Sequence, residues 1–319
     1  MSSGVSENGQ ERDPYRRCEL AIQNNSAAGL KDSLAYAKLL LGNEEYTSFL
    51  GEVLCDVLSH HSIPLILHML DYEGVPLTDV LPSSIYNWAT EALINALSSR
   101  GWDINTRDRG IRPGYRLIDY LVKERNGKED LARWLIDEKR AAINAEQNES
   151  SERDPPPILE ICAAFGTLAM FQFLEARGAY FSPRILHEAV EMAADIGADP
   201  SEDNSPQTSD SASRHRFTRV ELLIYLINER GLDVNAVDEH VPPEKYLLTP
   251  CATLVSYAAR CPKGAPIVRW LLSKGADPTL KGDYNRDAIE HARESKCDEV
   301  LVVMEEWVRR KNETDASLR

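Results

Sequence analysis

The sequence predicts an all-α fold, a solenoid of about seven to eight irregular helix pairs stacked in a row. Three observations lead there. First, one tail recurs: an apolar helix end, a charged last turn, a break, then an apolar residue before Asn. Residues 133–144 read RWLIDEKRAAIN and residues 224–235 read IYLINERGLDVN. Related tails are SSRGWDIN at 98–105, FLEARGAYF at 173–181, WLLSKGADP at 270–278 and, more faintly, MLDYEGVPL at 69–77. Second, the breaks fall on Gly74, Gly101, Arg140, Gly178, Gly231 and Gly275, unevenly spaced, as a unit of about 33 residues with loop insertions would give. Third, many apolar positions are Leu, Ile and Ala while aromatics are 7%, which favours helices over sheets.

Each tail has a physical reason. Leu and Ile at helical spacing bury one face, and Lys or Arg near the end suits the negative pole of the helix dipole. Gly then takes the left-handed conformation that ends the helix. Asp or Asn just afterwards starts a turn by bonding its own backbone. Arg140 stands where the other copies have Gly, so that helix end should be strained or reshaped.

Along the chain, residues 1–13 form a polar leader expected to be disordered, without an apolar signal-peptide core. Residues 14–84 read as an N-terminal helical cap or as degenerate repeats, and 85–308 as the repeat array. Helix pairs are expected over 14–41, 47–73, 84–100, 115–139, 158–177, 183–229, 250–274 and 285–308. Inside the sixth pair, residues 199–216 (DPSEDNSPQTSDSASRHR) are acidic, Ser-rich and nearly free of apolar side chains. Such a segment cannot offset its ordering entropy and reads as a mobile insertion. Residues 147–157 form a second flexible connection, whose prolines bar a helix before Ile158. Residues 309–319 read as a disordered polar tail.

The tails resemble those of the ankyrin repeat, whose helix-loop-helix unit ends in a Gly-Ala-Asp-x-Asn turn. The closest full unit is ILEICAAFGTLAMFQFLEARGAYF at 158–181, with Gly166 in the inter-helix loop and Gly178-Ala179 at the break. Thr249-Pro250 echoes the helix start of the repeat, and Leu186-His187-Glu188-Ala189 its Leu-His-x-Ala. The match is strongest over 155–307, and Ala142 and Tyr180 depart from it where Asp is usual. The resemblance implies a concave groove lined by loop tips and inner helices that selects a partner. It also implies that the His187 imidazole holds neighbouring backbone turns.

The net charge of −15 argues against a nucleic-acid partner and against docking on anionic lipid. It suits a protein partner with a basic patch. No run approaches the roughly 18 apolar residues of a spanning helix. The six cysteines are scattered and lack zinc spacing, so the cytosol or nucleus is expected, with no metal and no cofactor. No nucleophile-elbow, phosphate-loop, dinucleotide or zinc-protease motif occurs. Glu188 and Glu191 share a helical face beside His187 but read as solvated carboxylates, so no catalytic residue is assigned. Trp134 and Trp270 recur at one place in two tails, which reads as inter-repeat core.

The expectation is therefore a monomeric, non-catalytic scaffold or adaptor. Its alternative is an enzyme or small-molecule binder with a pocket built in the groove. Loop tips mapped by position give Arg107, Arg109, Arg112 and Tyr115 in one loop, Asp238, Glu239 and His240 in another, and Asp283, Tyr284 and Arg286 in the last. Arg and Tyr are enriched at binding hot spots, which makes the first loop the leading contact.

Overall fold

The computed structural model describes residues 13–109, 112–123, 127–145, 155–200, 211–238, 252–282 and 285–317. These residues are mostly helical, with sixteen α-helices and no strand beyond two isolated bridges. No helix among them is long and apolar enough to cross a membrane. The chain forms two compact units, Met1–Tyr120 with Arg133–Ala141, and Leu121–Ala132 with Ala142–Arg319.

The first unit opens with α1 (Pro14–Gln23) and α2 (Ala27–Leu40), then α3 (Asn43–Ser59) and α4 (Ile63–Tyr72). Polar residues start three of these helices, as their sequence suggests. Asp13 accepts the Tyr15 amide, Ser26 the Gly29 amide and Ser62 the Leu65 amide, each satisfying a first-turn donor. Helix α1 packs on α2 and α3, and α2 packs on α4, so consecutive pairs lie against each other. Leu34, Val53, Leu65 and Ile66 are fully buried between them. Helices α5 (Pro82–Ile85) and α6 (Glu91–Ser98, capped by Thr90) follow.

Helices α7 (Leu117–Leu121) and α8 (Glu129–Asp137) each run across a boundary between the units. The second unit continues with α9 (Ile158–Phe165), α10 (Leu168–Ala176), α11 (Ile185–Asp195) and α12 (Ser211–Ile224), the last passing into a π turn, Tyr225–Glu229. Next come α13 (Leu254–Ala259), α14 (Ala265–Ser273), α15 (Ala288–Glu294) and α16 (Asp298–Ser317). Two rows emerge. Helix α9 packs on α11, α11 on α13 and α13 on α15; beside them α10 packs on α12 and α14 on α16. Buried Leu159, Phe171, Leu186, Leu226, Tyr257 and Leu271 fill the space between. The Arg219 guanidinium, 1% exposed, donates to the carbonyls of Ala163 (3.2 Å) and Gly166 and ties α12 to the α9–α10 turn.

The six break positions all carry positive φ, Arg140 included at 59°. At Gly101, Gly178 and Gly275 the following amide reaches back to close the helix end, as Trp102 does to Leu97, Ala179 to Leu174 and Ala276 to Leu271. The Asp that follows starts a turn. Asp103, Asp233 and Asp277 each accept the amide two residues on, at 2.8–2.9 Å. The Asn of the tail reaches the neighbouring tail, and does so twice. Asn144 donates to the Gly178 carbonyl (3.0 Å) and accepts the Tyr180 amide (2.8 Å); Asn235 donates to the Gly275 carbonyl (3.2 Å) and accepts the Asp277 amide (2.8 Å).

Several expectations change. Residues 309–317, expected as a disordered tail, continue α16; the Arg310 guanidinium pairs with Glu306 one turn earlier and the Thr314 hydroxyl bonds the Arg310 carbonyl. Of the expected mobile insertion at 199–216, residues 201–210 lie outside the described residues, while Ser211 to Arg216 form the first turns of α12. The leader up to residue 12 and the Thr249-Pro250 helix start also lie outside them, and α13 is capped instead by Thr253, which accepts the Ser256 amide. Trp134 and Trp270 are half-exposed and not core; a lysine ammonium lies over each ring, Lys139 at 5.1 Å and Lys274 at 5.5 Å.

Candidate functional site

Two polar constellations stand out, one in each unit, and each grows from the same eight-residue pattern. Residues 101–108 (GWDINTRD) and 231–238 (GLDVNAVD) share Gly-x-Asp-x-Asn-x-x-Asp. In both, the residue before the last Asp forms an isolated antiparallel bridge, and the Asp carboxylate turns inward onto a tyrosine.

In the first unit the bridge joins Arg107 to Arg116, and the Asp108 amide donates to the Tyr115 carbonyl at 2.7 Å. Asp108, 3% exposed, accepts the Tyr120 hydroxyl (2.9 Å) and the Ser83 amide (2.9 Å) on one oxygen. Tyr120 stacks on Tyr86 at 4.6 Å and meets Tyr115 at 5.5 Å. Burial, then the bond to Asp108, raises the Tyr120 phenol far above its ordinary pKa, so it stays a donor. Arg116 and Asp119 form a buried bidentate pair beneath the loop, with Nη2 to Oδ1 at 2.8 Å and Nε to Oδ2 at 3.1 Å. Arg109 and Arg112 project from this anchored base into solvent, Arg112 lying 5.5 Å from the Tyr115 ring; Arg107 and Tyr115 are half-buried. Of the four residues expected to act together, Arg112 and Tyr115 are in contact.

The other two loop-tip groups fare differently. Glu239, His240, Asp283 and Tyr284 lie outside the described residues. Arg286 is exposed and spent locally, on an ion pair with Glu294 at 2.6 Å. Asp238, expected at a solvent-facing tip, is 5% exposed and accepts the Tyr257 hydroxyl at 2.6 Å. Its chain is held by the Val237–Thr253 bridge and by its amide, which donates to the Ala252 carbonyl at 3.1 Å.

Around Asp238 the second unit gathers charge on its first row of helices. Arg184, just before α11, places Nε 3.4 Å from Asp238 Oδ2 and donates through Nη2 to Glu188 Oε1 at 3.1 Å. The Ser182 hydroxyl donates to Glu160 on α9 and accepts the Arg184 amide at 3.3 Å. His187 Nε2 lies 3.2 Å from the Ala236 carbonyl, and its ring meets Tyr257 edge-on at 5.2 Å. Burial lowers the His187 pKa, which makes Nε2 the donor of a neutral imidazole. Arg260, which ends α13, lays its guanidinium 4.3 Å from the Tyr257 ring centre.

The carboxyls here are held away from their charged form. Burial pushes Glu188 up to about 7, against the pull of Arg184 and helped by Glu160, Glu191 and Asp238. Burial likewise raises Glu191 and Glu160, although Arg260 opposes it at the first and the Ser182 hydroxyl at the second. The Cys261 thiol beside them is pushed up to about 12 by burial and remains protonated. The same region leaves Asp238 Oδ1, Arg184 Nε and Arg260 Nε and Nη2 buried without a hydrogen bond.

Sequence reasoning found Glu188, Glu191 and His187 but set them aside, and missed Glu160, Arg184, Tyr257, Arg260 and the Asp108–Tyr120 pair. The signal that could have found part of them is the last Asp of the eight-residue pattern, present in both copies. A separate hollow of about 590 Å³ between α15 and α16, lined by Ile289, Arg293, Val308 and Asn312 among others, shares no residue with either constellation.

Comparison of the chain with protein-family models returned no match, and a search of curated proteins found none either.

Proposed function

We propose that this chain is a divergent, insertion-bearing ankyrin-type solenoid that works as a monomeric, non-catalytic protein-interaction scaffold in the cytosol or nucleus. The reading is supported by the two rows of helices in the second unit and by the Asn bridges at Asn144 and Asn235, which repeat one device between successive tails. The described cysteines Cys18, Cys55, Cys162, Cys261 and Cys297 are free thiols, which suits a reducing compartment.

The observation that carries the binding role is the Arg107–Tyr115 loop. Its base is pinned by Asp108, Tyr120 and the Arg116–Asp119 pair, while Arg109 and Arg112 are exposed, Arg112 lying over the Tyr115 ring. Arg and Tyr are enriched at binding hot spots, and a loop with a pinned base loses less freedom on binding. The test is capture from a native lysate with wild-type chain and an Arg109→Glu, Arg112→Glu variant, bound proteins being identified by mass spectrometry. A partner held by the wild type and lost by an equally folded variant is expected. Retention of every bound protein by the variant overturns the assignment of this loop.

A further inference from the structure

We propose that the hollow between α14 and α16 is a docking site for an acidic segment of a protein partner, which places one glutamate side chain in it. The inference goes beyond the Arg107–Tyr115 loop: it concerns the second unit alone and uses none of that loop's residues.

Helical spacing builds the hollow. On α14, Arg269 and Leu272 lie three residues apart and share a face; on α16, Val303, Glu306, Trp307 and Arg310 recur at three and four. The two helices pack on each other, and these six residues line a space of about 240 Å³ between them. Small-molecule pockets span roughly 300–1,000 Å³, so this one suits a single side chain. Its apolar wall is Leu272, which is buried, with Val303 and Trp307, which are half-buried. Arg269, Glu306 and Arg310 are exposed around it.

The charges at this place do not cancel. Glu306 is taken by Arg310, and Asp277 by Lys311 at 3.6 Å, whose ammonium also lies 4.8 Å from the Trp307 ring centre. Lys274, one residue past α14, spends its ammonium on the neutral Asn228 amide oxygen at 3.0 Å. The Arg269 guanidinium forms no ion pair or hydrogen bond with any described residue. A chain of net charge −15 thus carries here a guanidinium with its donors unspent, beside an indole.

Shape and charge together choose the occupant. An aliphatic side chain would cover Leu272, Val303 and Trp307 but leave Arg269 unanswered. A bare anion would answer Arg269 and leave the apolar wall wet. Glutamate does both, its methylenes lying along the wall and its carboxylate meeting the planar fork of Arg269. Trp and Arg are also the residue types in which interfaces concentrate binding energy. The acidic molecule as a whole repels such a segment at a distance, so recognition comes from contact in the hollow and not from long-range steering.

The experiment follows the indole N–H signals of the full chain by NMR while an acetylated Gly-Glu-Leu-Glu-Gly peptide, or its counterpart with Gln for Glu, is added at constant ionic strength. Trp102, whose indole donates to the Val80 carbonyl at 3.0 Å in the first unit, is the internal reference. The Glu peptide is expected to shift the Trp307 signal saturably and to leave Trp102 in place, and the Gln peptide to shift neither. A Trp307 signal that ignores the Glu peptide, or follows both peptides equally, overturns the site. Arg269→Glu is expected to raise the dissociation constant about tenfold or more, and Arg293→Glu, the same charge change at an exposed position of α15, less than about twofold. Equal losses in the two variants overturn the role of Arg269. Displacement of the peptide by an equimolar amount of inorganic phosphate overturns the choice of glutamate. Peptide binding is read directly, so a positive result stands even where lysate capture returns no protein and the scaffold reading fails.

Discussion

Replacing Tyr257 by Phe removes one oxygen and tests the lock that turns Asp238 inward. The hydroxyl donates to Asp238 Oδ2 at 2.6 Å, and the acceptor is 5% exposed. A bond to a charged group contributes about 1.5–3 kcal/mol, and leaving such an acceptor buried and unpaired adds to the loss. Arg184 Nε at 3.4 Å offsets part of it, and the phenyl ring keeps its contacts with His187 and Arg260. The net cost should be about 2 kcal/mol. Tyr120→Phe makes the internal control, because Asp108 loses a 2.9 Å hydroxyl bond but retains the Ser83 amide on the same oxygen. That change should cost about 1 kcal/mol. A chain of two compact units need not unfold as one, so a local measurement is the right one. Hydrogen exchange at the Asp238 amide, bonded to the Ala252 carbonyl, reports the opening of the second loop; the Asp108 amide, bonded to the Tyr115 carbonyl, reports the first. Protection should fall about 30-fold at Asp238 in Tyr257→Phe and about fivefold at Asp108 in Tyr120→Phe. If the two losses are equal, or Asp238 protection changes less than about threefold, the tyrosine is not what holds the carboxylate.

Three further outcomes follow from the same geometry. The Glu188 carboxyl has a folded pKa raised from 4.5 to about 7, so its stabilising contribution is full below the unfolded value and is lost as pH rises through the folded one. Full conversion of that shift gives about 3 kcal/mol; with the side chain 27% exposed, about 2 kcal/mol is expected. Urea denaturation across that range should show this loss in the wild type and not in Glu188→Gln, and parallel pH curves would count against the burial argument. Arg140→Gly should stabilise the first unit by about 0.5–1 kcal/mol, since an L side chain sits there at φ 59°; a lowered melting temperature would show that the arginine is not strained. Gly166→Ala should cost about 3 kcal/mol or more, because a Cβ there meets Cys162 Sγ and comes within 2.7 Å of the Val122 carbonyl oxygen. Gly51→Ala, on an open face of α3, should instead gain up to about 1 kcal/mol, and the pair can be compared by thermal melts.

Much of this molecule is local, and what is local was legible. The helix ends at Gly101, Gly178 and Gly275 follow from an apolar stripe running into a glycine, and the turns after Gly101 and Gly275 from an Asp two residues before the amide it binds. The anticipated distortion at Arg140 is a positive φ, readable because sterics at one residue decide it. The resemblance implied that the His187 imidazole holds neighbouring backbone turns, and its Nε2 lies 3.2 Å from the Ala236 carbonyl. Helical continuation past residue 309 was misjudged because polarity was weighed above helix propensity, and residues spaced four apart, Glu306 and Arg310, support the helix without any apolar stripe.

Composition and periodicity in the sequence determined that the chain is mostly helical, where the glycine-ended helices stop, and that its net charge is −15. Only the tertiary structure decided that Asp238 faces Tyr257 and Arg184 instead of solvent, and that Glu188 is buried near Glu160. Those partners stand on separate segments, dozens of residues apart, and no local pattern couples them. Their protonation depends on burial and on the sum of nearby charges, which exist only after α9, α11 and α13 have packed.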